Sequence, residues 1–367
     1  MLNQEIEQLT SCLRPLFSGN RSRIECMAAI ILGMLSAGSV NLSKISNHVQ
    51  CGLKFNSMYK RIQGFFTEFP LSLTEVALFV LSFLNFTNNP ITLTFDRTNW
   101  KFGKHNINYF VLAICYRTVA IPVLWRSLAK QGCSSDSERI ELLERFKNLW
   151  GFERVVDLLG DREFASKQLL DYLHEHNVPY TLRIKGNLTV RNKGKMTNIS
   201  MLFPHLLCGE ALVLKDKLIL GVVTNIAATR CANGDITIAI TNTKSEEAIG
   251  RYENRQQIER MFSCLKTRGF NLEDTHITNP DKLERLLGVV TIAFCWAYKM
   301  GDQIDQCNPT PRKKHGRRIR SIFKTGHVYL TNLISGVGRK SCEYANVFAL
   351  LFHKDMSSRP HINWVYL

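Results

Sequence analysis

The first 88 residues carry apolar positions at a helical period. Five stretches share spacings of three and four residues between their apolar side chains: 6–16, 24–35, 42–49, 55–66 and 71–86. This period is typical of amphipathic helices, so residues 1–88 are interpreted as a helical domain. The short helices at 42–49 and 55–66 fit either a helix-turn-helix reader of DNA or a plain helical bundle, and the pattern leaves both open.

After Asn88-Asn89-Pro90 the pattern changes to β-branched and aromatic runs separated by turn residues. These runs predict strands, and amphipathic stretches between the later ones predict helices. Strands are expected at 91–95, 107–117, 119–125, 154–160 and 179–184, and helices at 134–150 and 166–176. Three strands followed by helix, strand, helix and strand is the order of a mixed α/β layer fold. The ribonuclease H-like core shares this order and is one candidate among several.

A polar segment with short strand-like runs interrupts the pattern at about 186–245 and is interpreted as a β-rich insertion. Helical spacing then resumes. The pattern therefore divides the chain into a helical domain at 1–88, a core at 89–300 that contains the insertion, and a C-terminal region at 301–367.

The charge balance favours a polyanionic partner. The 367 residues contain 47 lysines and arginines against 31 aspartates and glutamates, a formal net charge of +16, and the pI is near 9.4. With 45% hydrophobic and 21% charged residues, the composition is that of a globular chain and excludes a disordered one. Such an excess of cations indicates nucleic acid before a membrane surface.

The C-terminal region concentrates this charge. Its run PRKKHGRRIRSIFKTG holds seven basic residues and no acid. Contacts with DNA phosphates, and a place near a dimer interface, are expected for five of its side chains: Arg312, Lys313, Lys314, Arg317 and Arg318. A solvated and partly disordered tail is the alternative. The residues beyond Leu351 match no pattern and are interpreted as an altered end.

The chain has no apolar stretch near the roughly 20 residues that a bilayer requires, and its N-terminus has no basic segment before an apolar run. These features predict neither a membrane span nor a signal peptide. Eleven cysteines without a CxxC pair predict reduced thiols rather than a disulfide framework or a zinc site. A cytoplasmic protein is expected.

Two aspartates stand where strands are predicted to end. Asp96 follows ITLTF and precedes Arg97, and Asp161 follows RVVDLLG, at the edge where open α/β sheets bind ligands. A carboxylate beside cations suits a divalent metal held against phosphate. Each has a structural alternative, a turn closed by Asp96 and a helix N-cap at Asp161. Asp157 lies inside its strand and is interpreted as satisfied by a protein partner.

A third acid lies in the predicted helix RYENRQQIERMFSCLK. On a regular helix of about 100° per residue, four polar side chains fall within about 60° of one another: Tyr252, Arg255, Glu259 and Lys266. An apolar stripe runs alongside and would anchor the helix. The polar stripe is either a functional surface or an ordinary solvated ion-pair face.

At these residues the sequence resembles bacterial cut-and-paste DDE transposases of insertion-sequence family four. The spacing Tyr-(2)-Arg-(3)-Glu-(6)-Lys is the signature of that family, FDRTNW is similar to its first-aspartate block, and GDREF is similar to its second. The resemblance also includes IPVLWRSLAKQG and KKHGRR, and it covers about residues 90–330.

The resemblance implies a ribonuclease H-like fold with a β insertion and a DDE active site, in which Asp96, Asp161 and Glu259 hold two Mg²⁺ or Mn²⁺ ions. DNA contacts are implied for the rest of the stripe, Tyr252, Arg255 and Lys266. The implied function is metal-dependent strand cleavage and strand transfer at the terminal inverted repeats of an insertion sequence. It implies double-stranded DNA as partner, a homodimer on paired DNA ends, and a place in the bacterial cytoplasm at the nucleoid.

One departure bears on the chemistry. Hairpin-forming relatives place a tryptophan in the insertion to stack a flipped base, and this chain has none between Asp161 and Glu259. Tyr180 or Phe203 could offer such a face, but core packing is favoured for both. A metal-dependent nuclease that never joins strands and a catalytically silent DNA-binding relic are the alternatives, although none of the three acids is substituted.

Overall fold

The computed structural model describes residues 2–49, 54–86, 89–192, 194–314, 316–336 and 347. The altered end predicted beyond Leu351 lies outside these residues. The chain forms two compact units. The helical unit comprises Met1–Thr87, Trp100–Ile107 and Phe262–Leu367, and the sheet unit comprises Asn88–Asn99 and Asn108–Met261.

The helices of the described residues range in length from 5 residues in α8 to 28 in α10. In chain order they are α1 Leu2–Leu13, α2 Arg21–Ala37, α3 Leu42–His48, α4 Phe55–Glu68, α5 Leu73–Phe83, α6 Asp136–Trp150, α7 Lys167–Glu175, α8 Ala248–Tyr252, α9 Gln256–Leu265, α10 Pro280–Cys307 and α11 Ile322–Ile334. The strands are β1 Ile91–Phe102, β2 His105–Tyr116, β3 Val119–Ser127, β4 Val155–Gly160, β5 Thr181–Arg183, β6 Thr189–Asn192, β7 Lys195–Asn198, β8 Ala211–Ile219, β9 Val222–Arg230 and β10 Ile236–Thr241.

The helical unit packs α1–α5 with α10 and α11, so the helices predicted in the first 88 residues are confirmed. Asn279 begins α10 by accepting a hydrogen bond from the backbone N–H of Lys282. Gly301 and Gly326 let α10 and α11 approach closely, because a Cβ atom on Gly301 would lie 1.9 Å from the carbonyl oxygen of Ile322. The long α10 therefore joins the N-terminal helices, a division that differs from the three regions drawn from the sequence.

No single helix of the described residues is long and apolar enough to cross a membrane. Two sharply bent pairs, α2 with α3 and α4 with α5, would pass on length and composition alone.

The sheet unit is built on eight strands in the order β3-β2-β1-β4-β5-β10-β9-β8. β3 pairs antiparallel with β2, whereas β1, β4 and β5 run parallel to one another. The first five strands thus have the order of a ribonuclease H-like core, and the predicted mixed α/β fold class is confirmed. The insertion is β-rich as predicted, and its strand β10 pairs antiparallel with β5, so that β8–β10 continue the same sheet.

Two details of the predicted elements were wrong. The strand of Asp96 does not end there but continues through polar residues to Phe102, because β1 continues in a ladder with β2 after it has left β4. The predicted regular helix from 252 to 266 is broken by a 3₁₀ turn at Glu253–Arg255 between α8 and α9. The backbone stays right-handed and helical at Tyr252 and Gln256, so the chain continues in nearly the same direction.

Candidate active site on the sheet unit

Asp96 and Asp161 occupy equivalent positions on neighbouring parallel strands. The register of β1 and β4 pairs Leu93 with Leu158 and Thr94 with Leu159, where the ladder ends. The same offset carried two residues further brings Asp96 opposite Asp161. Each carboxylate accepts a hydrogen bond of 2.8 Å at Oδ1 from the backbone N–H of the residue that follows it. The two acids predicted from the sequence therefore meet at one edge of the sheet.

The structural alternatives for these acids do not hold. Ser166, not Asp161, is the N-cap of α7, since its hydroxyl accepts from the backbone N–H of Leu169. Asp96 lies within a continuous strand and so closes no turn. Both carboxylates are therefore left without a role in secondary structure.

The predicted stripe contributes three side chains to the same place. The Tyr252 hydroxyl donates to Oδ1 of Asp161 at 3.3 Å. Nη1 of Arg255 donates to Oδ2 of Asp96 at 3.1 Å, and its Nη2 donates to Oε1 of Glu259. Glu259 is exposed, with 55% of its side chain accessible, against 20% for Asp96. Arg255 thus links Asp96 to Glu259, and Tyr252 is bonded to Asp161, so these members of the stripe face the two aspartates rather than solvent alone.

Burial and like charge set the electrostatics of the cluster. Burial raises the pKa of Asp96 to about 6, against the opposing effects of the Arg97 backbone N–H and the Arg255 guanidinium. The negative charges of Glu163 and Asp161 raise it further. Burial also raises the pKa of the Tyr252 hydroxyl. The carboxylate of Asp96 would therefore gain from additional positive charge.

The donor set suits a hard divalent cation, but the arrangement does not yet form a cage for one. Carboxylate oxygens are the ligands that Mg²⁺ and Mn²⁺ prefer. Among the described residues, however, no group of three or more acidic, histidine or cysteine side chains is placed to hold a metal ion. The Arg255 guanidinium bridges Asp96 and Glu259, and so supplies the positive charge between two of the three acids.

Lys266, the fourth member of the stripe, belongs to the helical unit. It follows the last residue of α9. Its Nζ forms an ion pair with Glu273 at 2.8 Å and lies 5.8 Å from the ring centre of Trp100. Its contact with DNA remains a prediction.

The basic residues predicted to bind DNA form an ordered hairpin in the helical unit. Lys313 N–H donates to the Arg317 carbonyl at 2.8 Å, and Arg312 pairs with Arg318 in an antiparallel bridge. The Arg318 guanidinium anchors the hairpin base through Asp305 at 2.7 Å. Four cations lie exposed on it, Arg312, Lys313, Lys314 and Arg317. A partly disordered tail is therefore not what this described segment forms.

Two organising residues near the acids, Glu163 and Arg139, were missed, and Arg97 was expected to face phosphate rather than to pair with Glu163. Arg97 and Glu163 form a bidentate ion pair, and Arg139 of α6 is 5% exposed and bonded to the turn that follows Asp161. One signal was available in the sequence. Arg139 falls on the face of α6 that carries Leu142, Leu143 and Phe146, where a charge indicates a buried partner.

The other expectations for single side chains hold. Asp157 is 1% exposed and accepts hydrogen bonds at Oδ2 from Thr181 at 2.9 Å and Arg251 at 2.8 Å, so protein partners satisfy this oxygen, whereas Oδ1 has no hydrogen-bond partner among the described residues. Tyr180 and Phe203 are buried, as core packing predicts.

A family model described as the transposase DDE domain matches residues 84–296, more than half of the chain and a range that includes Asp96, Asp161 and Glu259. No curated protein sequence matches. Among solved structures, a cryo-EM structure of a piggyBac transposase synaptic complex with hairpin DNA is similar at 9% identity, with 95% of this chain and 83% of that chain covered and a TM-score of 0.46.

Two further structures are more remote. Endonuclease V from Bacillus subtilis is 14% identical, with 57% of this chain and 85% of that chain covered and a TM-score of 0.27. Argonaute from Kluyveromyces polysporus with a guide RNA is 13% identical, with 71% and 34% covered and a TM-score of 0.24. None of these structural likenesses is strong enough to bear on function.

Proposed function

The chain belongs to the transposase DDE domain family, and from this premise we propose that it is a cut-and-paste transposase of insertion-sequence family four. Members of the DDE family break and join DNA strands with divalent metal ions. For this chain the proposed substrate is the terminal inverted repeat of its own element. The proposed products are a cleaved end and then an end joined to target DNA.

The observation that supports this proposal is the placement of Asp96 and Asp161 at one sheet edge, with Arg255 linking Asp96 to Glu259. The acids come from β1, the turn after β4 and α9, and Tyr252 is bonded to Asp161. They are proposed as the catalytic residues and as ligands of two Mg²⁺ or Mn²⁺ ions. Such ions, when bound, supply the activation of the attacking oxygen and the charge neutralisation that phosphodiester cleavage requires.

The remaining residues of the cluster hold the DNA. The planar guanidinium of Arg255 can donate two parallel hydrogen bonds to two oxygens of one phosphate. It is positioned by its bonds to Asp96 and Glu259. The Tyr252 hydroxyl, which donates its one proton to Asp161, is proposed to exchange this partner for the backbone of the strand being cut. Arg255 is proposed to exchange its carboxylate partners for a phosphate when DNA and cations arrive.

End recognition and pairing are proposed for the helical unit. Residues 1–88 would read the repeat, and the hairpin of Arg312, Lys313, Lys314, Arg317 and Arg318 would contact phosphates, together with Lys266. Two ends require two active sites, so the protein would act as a homodimer on DNA in the bacterial cytoplasm. Because the insertion carries no tryptophan, a hairpin intermediate is not part of the proposal.

The test is cleavage of a duplex that carries the terminal repeat, with Mg²⁺ or with EDTA. Wild type should cut at the repeat boundary with Mg²⁺, and Glu259→Gln should lower the rate by about 10³-fold or more. Glu253→Gln is the matched control, since Glu253 is an exposed acid on the same segment, and it should cut at close to the wild-type rate.

A second arm adds target DNA to the reaction. Joined products support the transposase, whereas free 3′-hydroxyl ends without joining would favour the nuclease alternative. Binding to the repeat without any Mg²⁺-dependent cutting would contradict the enzyme proposal and leave the DNA-binding relic.

A further inference from the structure

The backbone ladder stops short of the two aspartates. The last paired positions of β1 and β4 are Thr94 and Leu159, two residues before Asp96 and Asp161. Beyond them no ladder between these two strands fixes the distance between the carboxylates. Like charges that face each other repel. A separate contact is needed to hold the segments together.

A bidentate ion pair joins the two segments at this point. Nε of Arg97 donates to Oε1 of Glu163 at 2.8 Å, and Nη2 donates to Oε2 at 3.0 Å. Arg97 directly follows Asp96, and Glu163 lies two residues after Asp161. Two parallel hydrogen bonds between a guanidinium and a carboxylate fix the relative orientation of the two groups as well as their distance, which a single hydrogen bond does not.

Both partners of the ion pair are themselves held. The third nitrogen of the Arg97 guanidinium, Nη1, donates to the carbonyl oxygen of Gly132 at 2.9 Å. The buried Arg139 donates to the carbonyl oxygens of Glu163 and Phe164, both at 3.2 Å. Its Nε also bonds to Ser134 at 3.0 Å. The turn that carries Asp161 is thus braced by α6, and Arg97 is fixed on two sides.

We propose that the Arg97–Glu163 pair is a positioning element that sets the separation of the Asp96 and Asp161 carboxylates for cation binding. The proposal rests on the proposed role of these two acids. Neither Arg97 nor Glu163 contacts the reacting atoms. The pair acts by replacing the ladder hydrogen bonds that β1 and β4 no longer make.

Binding of Mn²⁺ to the full-length protein without DNA tests this, measured by the electron paramagnetic resonance signal of free Mn²⁺. Glu163→Gln and Arg97→Lys, which keeps the charge but loses the fork, should weaken binding about tenfold to a hundredfold. Their melting temperatures should stay close to that of the wild type. Glu141→Gln is the matched control, because Glu141 pairs with Arg126 elsewhere on the sheet unit, and it should leave Mn²⁺ affinity unchanged.

Cleavage of the repeat duplex, measured on the same proteins, separates the two proposals. If the wild type does not cut, the proposed function fails, and the Mn²⁺ titrations still decide the positioning role. If the wild type cuts while both variants bind Mn²⁺ and cut as it does, the positioning proposal is overturned. Should Glu163→Gln fail to fold, Arg97→Lys gives the deciding titration.

Discussion

Two arginine–aspartate pairs on one helical segment have opposite environments. Arg251 bonds to Asp157 of β4 at 2.8 Å, and Arg255, four residues later, bonds to Asp96 of β1 at 3.1 Å. Asp157 is 1% exposed, whereas Asp96 keeps 20% of its side chain accessible and shares Arg255 with the exposed Glu259. The carboxylate of the first pair is closed within the protein, although the Arg251 side chain is 22% accessible against 11% for Arg255. The second is open to solvent on the side of the acids.

The closed pair has its partners inside the protein. Arg251 also donates to the Thr243 hydroxyl at 2.7 Å and to the Lys244 carbonyl at 2.9 Å, and Thr181 donates to Asp157. Such a network fixes α8 against the sheet. At the open pair one guanidinium serves two carboxylates, which leaves oxygen atoms for an incoming cation. Similar ion pairs therefore differ in how far water reaches their carboxylates, which is 1% exposure at Asp157 and 20% at Asp96.

Removing the closed arginine should give the largest change in stability. Arg251→Met leaves Asp157 buried without its cation, and burial already raises the pKa of this carboxyl. Loss of one partner from a buried pair costs about 3–5 kcal/mol. Urea unfolding at neutral pH, followed by circular dichroism, measures this loss in the free energy of unfolding. A loss below about 1 kcal/mol would contradict the claim that buried Asp157 depends on Arg251 as its cation.

His327 of α11 is a third buried titratable side chain, and it differs from the two aspartates in having no oppositely charged partner, in the part of the chain that the structure describes, to offset its burial. It is 5% exposed, and neither ring nitrogen has a hydrogen-bond partner among the described residues. It stacks on Phe323 and lies edge-on to Phe270. Burial, with a smaller effect from Lys324, lowers its pKa from 6.5 to about 4. The native helical unit therefore requires the neutral ring.

The pH dependence follows from that direction. Between pH 6.5 and about pH 4 His327 is protonated in the unfolded chain but neutral in the folded chain. The free energy of unfolding therefore falls as the pH falls through this window. Between pH 7.5 and pH 5 the loss is about 2 kcal/mol. His327→Leu should remove that part of the acid sensitivity in urea unfolding at the two pH values. Equal acid sensitivity of variant and wild type would contradict the assignment.

Helices and strands were predictable where the pattern of nearby residues in the sequence determines them. The strands and helices from 91 to 184 follow local periodicity, and the structure has them in the predicted order. The pairing of β10 with β5 was not predictable, because Thr241 and Thr181 meet across sixty residues of chain. The continuation of β1 past Asp96 was missed for a similar reason, since polar residues there are held by a neighbouring strand rather than by their own pattern.

The acids were predictable as candidates but not as a cluster. Asp161 and Ser166 both suited the start of α7, and the hydroxyl of Ser166 caps it. The regular helical wheel placed Tyr252, Arg255 and Glu259 on one stripe, and this grouping survives the 3₁₀ turn between them. The sequence could not reveal that Arg255 would bridge two of the acids, since that depends on the distance between β1 and α9.

Replacement of Arg255 should change stability least and test the open pair most directly. Arg255→Met removes a cation from carboxylates that water still reaches, so the expected loss is about 1 kcal/mol, well below that for Arg251→Met. If the guanidinium holds the place of an incoming ion, its removal should tighten Mn²⁺ binding in the DNA-free protein about fivefold to tenfold.

The matched control for this variant is Arg260→Met. Arg260 is exposed on the same helix and donates to the Thr118 carbonyl at 3.1 Å, so its removal should leave Mn²⁺ affinity unchanged. The Mn²⁺ titration by electron paramagnetic resonance compares the two. Weaker or equal binding in Arg255→Met would mean that the arginine does not compete with the cation. The bridge from Asp96 to Glu259 would then be structural, like its counterpart at Asp157.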